Sequence, residues 1–356
     1  MRLLVLSKYG RLGASSRLRS YQYLPYFERM GIEAHVHSLL DDAYLRALYV
    51  KKRDLRSIFR GYLARIGKLF SARSFDAVYM EKEALPWLPA MLELGVLPAK
   101  VRLAVDYDDA IFHTYDQHAS GVVRRLLGGK LDRLMRRADL VTAGSRYLME
   151  RAQQAGSRNV EWVPTVVDFE RYSIVPRTPS NELVIGWIGS PSTAHYLRLV
   201  SEPLAALCRD RPMRCVAIGA RQDQLSGTPF TALPWNEETE VALLQSLDIG
   251  IMPLHDEAWE RGKCGYKLIQ YMACGVPVLA SPVGENCNIV QHGQNGYLAS
   301  TPAEWAVRLQ QLIDDAQLRR QCGEAGRKRV EAEYCLQVQG PRLSSLVLRL
   351  ADRRMD

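Results

Sequence analysis

The sequence predicts an α/β protein made of two consecutive βα domains. Three observations predict it. Short apolar runs of strand length alternate with longer helix-period segments, the pattern restarts after residue 181, and each half begins with a strand and a glycine-bearing loop that opens a helix. With 356 residues, 47% hydrophobic and 24% charged, the chain has the size for two domains and the composition of a folded protein. The expected limits are a first domain over 1–168, a linker over 169–181, a second domain over 182–340 and a final helix over 341–356 that is free to return to the first domain. A cleft between two such domains is the default ligand site.

The elements follow in order. Leu3–Leu6 reads as a buried strand, and Lys8 to Ser16 as a loop that opens a helix at about Arg17. Gly13 lets backbone approach a ligand there, and Arg17 stands where an anion would sit. The spacing Gly10-x-x-Gly13 is not that of a dinucleotide fingerprint. After a second strand (Glu33–His37) the segment Arg46–Arg73 carries nine cations against the single acid Asp54, with Leu48, Leu55, Ile58, Phe59, Tyr62, Leu63, Ile66 and Phe70 at near-helical spacing. Such a helix either lies on an anionic bilayer or packs its stripe in the core. Strands at Asp76–Met80 and Val101–Val105 lead to Asp106-Tyr-Asp-Asp-Ala-Ile-Phe-His113. Carboxylates at a strand's carboxyl end, with His113 following, could orient sugar hydroxyls or accept a proton. Asp106-x-Asp108 could instead hold a divalent cation, and the aspartates could simply cap a turn. Strands at Asp139–Thr142 and Val160–Pro164 complete the first domain.

In the second half, Leu183–Ile188 is a strand. The small-residue loop from Gly189 and Ser190 to Thr193 can bring backbone donors to a phosphate. Strands follow at Arg214–Ile218, Phe230–Leu233 and Asp248–Pro253. A helix is expected over Lys263–Cys274, with Gly265, Leu268, Ile269 and Met272 on one face and Lys263, Lys267 and Gln270 on the other. Gly275 and Pro277 stop it, and a buried strand runs to Ser281. Two lysines above strand ends suit a phosphate-bearing ligand. Helices at Ala303–Asp314, Leu318–Glu333 and Arg342–Ala351 close the chain.

The net charge of +8 points to an anionic partner. Seven cysteines, odd in number and without a CxxC pair, indicate free thiols in a reducing compartment. Met1–Ser7 is too short for a signal-peptide core, and no uncharged apolar run reaches about 18 residues. A cytoplasmic protein is expected, with Arg46–Arg73 as a candidate contact to the inner membrane face and a second basic patch around Arg124, Arg125, Lys130, Arg133, Arg136 and Arg137.

Gly275-Val-Pro-Val278 after a helix ending Tyr271-Met-Ala-Cys274, then Gly284-Glu-Asn286 and Gly293-Gln-Asn-Gly-Tyr-Leu298, resemble the motifs of bacterial family-4 retaining glycosyltransferases of the GT-B fold. The resemblance implies two Rossmann-like domains facing a cleft. It also implies a nucleotide-sugar donor on the second domain, a saccharide or lipid-linked saccharide acceptor on the first, and a role in polysaccharide assembly without a cofactor or metal. Donor contacts would come from Gly13, Arg17, Gly189, Ser190, Tyr266, Gln270, Glu285 and Asn286. The family's Glu-x7-Glu falls here on Gly262 and Gln270, with Glu260 near the vacant position, and the diphosphate-binding Arg and Lys after the domain's first strand are missing. The chain looks more like a branch with Lys-x3-Lys at this place, so Lys263 and Lys267 would stabilise the departing diphosphate. Asp108, Asp109 and His113 would then position the acceptor. The rival readings are a single-domain metal-dependent transferase using Asp106 and Asp108, a sugar-nucleotide epimerase, and a basic scaffold for nucleic acid. The last lacks any nucleic-acid motif.

Overall fold

The computed structural model describes residues 1–49, 54–174, 182–209 and 211–352. The chain divides into two units: Met1–Thr165 with Gly262–Cys264 and Leu336–Asp356, and Val166–Arg261 with Gly265–Cys335. The first-unit boundary expected near 168 thus falls after Thr165. The final helix starts at Leu336, six residues ahead of the expected Arg342.

Unit 1 is built on six strands: β1 (Arg2–Tyr9), β2 (Glu33–Leu40), β3 (Ala77–Glu81), β4 (Arg102–Tyr107), β5 (Leu140–Ala143) and β6 (Val160–Trp162). They pair in the order β2-β1-β3-β4-β5-β6, every pair parallel. β3 and β5 are buried along their whole length, which is why they read as continuous apolar runs. The helix Leu55–Ser71 packs on β2, and the C-terminal helix Leu336–Asp352 packs on the helix Leu24–Arg29 and on β3 and β4.

Unit 2 repeats the plan with β7 (Leu183–Ile188), β8 (Met213–Ile218), β9 (Phe230–Leu233), β10 (Ile249–Met252), β11 (Val278–Ala280) and β12 (Gly296–Leu298), in the order β12-β11-β10-β7-β8-β9. All of these pairs are parallel as well. Two parallel six-stranded sheets with helical crossovers are the α/β architecture that the alternation of segments predicts.

The helix expected over Lys263–Cys274 is shorter, Tyr266–Ala273, and Gly265 caps it in the left-handed region (φ 64°). Lys263 lies outside it, so the three-residue face Lys263, Lys267, Gln270 does not form. Leu268 through Ala273 are all buried, because the helix Ala316–Glu333 covers the side turned away from the sheet. Gly326 of that helix leaves room for the Met272 side chain. On the sheet side, a Cβ on Gly250 of β10 would lie 2.4 Å from the Tyr271 ring, so glycine there sets how closely helix and sheet approach.

Candidate functional site

In unit 1 the chain leaves β1 for β2 on one side and β3 on the other, and such a reversal opens a crevice at the strands' carboxyl ends. A polar cluster occupies these ends. Lys82, directly after β3, places Nζ 2.7 Å from Asp108 Oδ1 and donates to Ser15 Oγ at 3.0 Å. Ser15 Oγ donates to Asp108 Oδ2 at 2.5 Å, and Ser16 Oγ donates to Glu81 Oε2 at 2.6 Å. Lys82 is a non-glycine residue with φ 63°, a conformation that costs about 1–3 kcal/mol and persists where the surroundings fix it. Here its N–H is held by Asp106 O at 2.8 Å. Neither Lys82 nor Ser15 was among the residues expected at the site. The signal available was the charged run Glu81-Lys82-Glu83 directly after a buried strand.

Asp109 follows. Burial first, and then the neighbouring Asp108 charge, push its carboxyl up to about 6, against the pull of Lys82, Lys263 and Lys8. For Asp108 burial acts in the same upward direction, but Lys82, Arg19 and the hydrogen bonds from Lys82 and Ser15 outweigh it and hold the group below the ordinary carboxylate range. Two adjacent aspartates are thus driven apart, one kept ionised and one poised near neutrality. The short segment Gly262–Cys264 belongs to this unit. Cys264 Sγ donates to Asp108 O at 2.8 Å, and Ser145 Oγ donates to Gly262 O at 3.4 Å. Lys263 is therefore a neighbour of Asp109.

Three expectations for unit 1 need correction. His113 does not join the aspartates, because its Nδ1 is 2.8 Å from Asp116 Oδ1 and its Nε2 2.9 Å from Tyr147 Oη. Asp106 is fully buried, gripped by Arg19 (Nη2–Oδ1 2.6 Å, Nε–Oδ2 2.9 Å) and by Thr142 Oγ1 at 2.6 Å, so it does not share an open edge with Asp108 as a metal-binding pair would. The glycine loop has its donors engaged: the N–H groups of Gly10, Leu12 and Gly13 donate to Leu40 O, Asp42 Oδ1 and Gly10 O. Gly13 caps the helix Ala14–Arg19, and Arg17 lies half-buried in its last turn.

In unit 2 the equivalent reversal lies between β7 and β10. Lys267, on the first turn of the Tyr266–Ala273 helix, sets Nζ 4.3 Å from the centroid of the buried Trp187 ring. A Cβ on Gly189 would lie 2.7 Å from that ammonium, so the glycine after β7 leaves the space the lysine occupies. The Gly189 N–H itself donates to Ile218 O at 3.0 Å and is engaged in the sheet. Ser190 caps the 3-10 helix Pro191–Val200, its Oγ 2.8 Å from Ser192 Oγ. The buried Glu260 carboxylate accepts from Tyr196 Oη with Oε1, while its Oε2 has no hydrogen-bond partner among the described residues.

A family model for "Glycosyl transferases group 1" matches residues 182–315. This stretch is a group 1 glycosyltransferase domain. The chain is 36% identical over 77 residues to N-acetyl-alpha-D-glucosaminyl L-malate synthase of Bacillus anthracis, which is 21% of this chain and 20% of the relative. It is 27% identical over 167 residues to the putative teichuronic acid biosynthesis glycosyltransferase TuaH of Bacillus subtilis, 42% of each. The chain therefore spans about a fifth to two fifths of the curated relatives it matches. Over 98% of this chain and 100% of the other, it superposes on HepE of Anabaena solved with UDP, with a TM-score of 0.73 at 18% identity. HepE solved with UDP-glucose gives 0.72 at 19%, covering 98% of this chain and 99% of the other. At such identity the likeness is one of fold, and the fold is GT-B.

Within the group 1 domain the motif residues fall as follows. Asn286 is buried and donates from Nδ2 to Ser281 O at 3.0 Å. Glu285, also buried, accepts from Asn288 Nδ2 at 3.2 Å. Tyr266 is half-buried at the helix start. Gln270 is turned inward, its Nε2 3.2 Å from Tyr172 Oη, which in turn donates to Glu240 Oε1 at 3.2 Å. This inward contact commits the amide nitrogen that was expected to face a ribose. A Cβ at Gly262 would lie 2.3 Å from Ala110 Cβ, which accounts for the absence of the family's first glutamate at that position.

Proposed function

We propose that this chain moves a sugar from a nucleotide-sugar donor bound by the group 1 domain to a glycan or lipid-linked saccharide acceptor received by unit 1. The reaction proceeds with retention and serves polysaccharide assembly. The observation that carries this reading is the Lys267 ammonium, held over Trp187 at the carboxyl end of β7 in a space Gly189 keeps open. Departure of a nucleoside diphosphate builds negative charge on its β-phosphate, and a cation already fixed in place favours that state without reorganising. The buried Glu260 has an oxygen available for a sugar hydroxyl, which gives it the place of the glutamate missing at 262. Gln270 keeps a structural part, and Glu285 and Asn286 shape the loop after β11.

On the acceptor side, Asp108 and Asp109 orient hydroxyl groups. Lys82, Lys263 and Lys8 set the charge state of that pair, so the role assigned to Lys263 passes from the diphosphate to Asp109. Attack from the leaving-group face, guided by the departing phosphate, requires no dedicated base. The names of two relatives support the class of substrates: HepE was solved with UDP-glucose, and TuaH is assigned to teichuronic acid biosynthesis.

A thermal-shift panel of UDP-, GDP-, ADP- and dTDP-sugars tests the reading, because a donor that binds only the folded state raises its Tm. The expected result is a rise with UDP-sugars that Lys267→Ala abolishes. A panel in which no nucleotide sugar moves the melting curve overturns it.

A further inference from the structure

Unit 1 carries an apolar surface that the sugar chemistry leaves unused. Along the helix Leu55–Ser71, the inward side is filled by Tyr62, Ile66, Leu69 and the buried Arg65. A second apolar stripe on the same helix faces solvent: Leu55 (73% exposed), Phe59 (66%), Leu63 (55%) and Phe70 (60%), spaced four, four and seven residues apart and hence on one side. The patch does not end with this helix. Tyr62 Oη donates to Pro86 O at 2.8 Å, which ties the helix to the loop bearing Trp87. That tryptophan is 51% exposed and sits at φ 61°, a strained conformation for a bulky residue, fixed by a hydrogen bond from its N–H to Tyr115 Oη at 3.0 Å.

The helix Ala90–Val96 packs against the Leu55–Ser71 helix and shows Met91 and Leu92 to solvent. The Trp87 ring meets His118 edge-on at 5.8 Å, and His118 accepts from Ser120 N, at the start of the helix Gly121–Leu127, whose Val122 and Leu126 are exposed. The charge on this surface is mainly positive, with the exposed Asp54 at the start of the Leu55–Ser71 helix, where it caps the helix by accepting from Arg56 N and Ser57 N. The three helices carry Arg56, Arg60, Lys68, Arg124 and Arg125 at the surface, and their sole carboxylate, Glu93, is buried against Lys130.

We propose that this face, comprising the Leu55–Ser71 stripe, the Trp87 loop and the exposed sides of the helices Ala90–Val96 and Gly121–Leu127, docks on the anionic surface of a lipid bilayer. Large apolar side chains rimmed by five surface cations, with the exposed Asp54 at one helix end, match a headgroup layer that is negative outside and apolar beneath. A protein partner would be expected to require pockets or complementary carboxylates, and a second copy of this chain would set cation against cation. The surface stands whatever nucleotide the group 1 domain binds.

The test is co-sedimentation of the full chain with phosphatidylcholine vesicles, with and without phosphatidylglycerol. The wild-type protein is expected to pellet only with the anionic vesicles. Phe59→Ser combined with Leu63→Ser should weaken partitioning by at least ~10-fold, since each exposed side chain loses several buried carbons. Arg56→Glu combined with Arg60→Glu should abolish the preference for phosphatidylglycerol. Because all four positions are exposed, both variants should melt with the wild type. The proposal is overturned if the wild type stays in the supernatant with anionic vesicles, or if the apolar variant pellets as fully as the wild type. It is also overturned if the apolar variant converts a wild-type dimer to a monomer on a sizing column, which would assign the face to a second copy.

Discussion

At the scale of single residues, the site depends on how few side chains separate two neighbouring carboxylates. Asp109 is pushed up to about 6 chiefly by burial, so it favours the protonated form in the folded state. Its ionisation therefore costs stability above pH 6. That cost fades as pH falls through 6 and is gone below the ordinary carboxylate range, where folded and unfolded chains are both protonated. Asp109→Asn should accordingly raise Tm at pH 8, and the gain should vanish by about pH 4; a gain equal at both pH values would detach it from this ionisation. The same substitution should remove an acid limb near pH 6 from the kcat/KM profile. Lys267→Ala should lower kcat/KM by about 10²–10³-fold, the usual effect of deleting one preorganised donor to developing charge, measured with the UDP-sugar that the melting panel selects. Gly262→Glu should cost about 1–3 kcal/mol by overpacking against Ala110, and Ala110→Gly in the same chain should recover part of it.

At the scale of elements, the apolar periodicity that marks strands and helices also determines where they begin and end only when no second layer intervenes. The strands β1, β7, β8 and β9 were legible because both faces or one full face are apolar, and the order of motifs around Gly275 pointed to the right architecture. The Tyr266–Ala273 helix was misread at its start because Gly265 takes a left-handed conformation that no spacing rule reveals. Its polar face does not form as expected because Gln270 turns to Tyr172 Oη, 98 residues earlier, and Lys267 to the Trp187 ring. Asp108 is legible as a site residue, but its partners Lys82 and Ser15 are not, since residues 67 and 93 positions apart meet only once the sheet order is known. Asp106 and Asp108 look alike in sequence, yet Asp106 lies inside β4, where Arg19 grips it, whereas Asp108 falls just past the strand's last residue, Tyr107, and meets Lys82 and Ser15. In the helix Leu55–Ser71, Arg65 is one of the nine cations of the segment Arg46–Arg73, yet it is buried, bridging Ser7 O at 2.5 Å and His37 O at 2.9 Å. Arg65→Ala should destabilise unit 1 by about 1–3 kcal/mol through those orphaned carbonyls, read as a lower midpoint in urea. Arg56→Ala, on the exposed side, should leave the midpoint unchanged.

At the scale of the whole molecule, the chain enters unit 2 at Val166 and leaves it at Cys335. These two passages run side by side, with Val167 N donating to Tyr334 O at 3.2 Å and Val167 bridging Cys335. The last helix then completes unit 1: Leu343, Leu346, Val347 and Leu350 are buried, and Arg342 reaches Trp162 O at 2.6 Å and Glu161 Oε2 at 3.1 Å. Stopping the chain after Cys335 should therefore strip unit 1 of one wall of its core. Loss of a cooperative melting transition in circular dichroism is the expected sign, and a truncated chain that melts like the full one would contradict it.

That discontinuity has a consequence for synthesis on the ribosome. The unit that emerges first cannot finish folding until its last helix, Leu336–Asp352, has been made, whereas almost all of the interposed unit is available earlier. At ~5–20 residues per second, the opening sheet waits roughly ten to forty seconds with its flank uncovered.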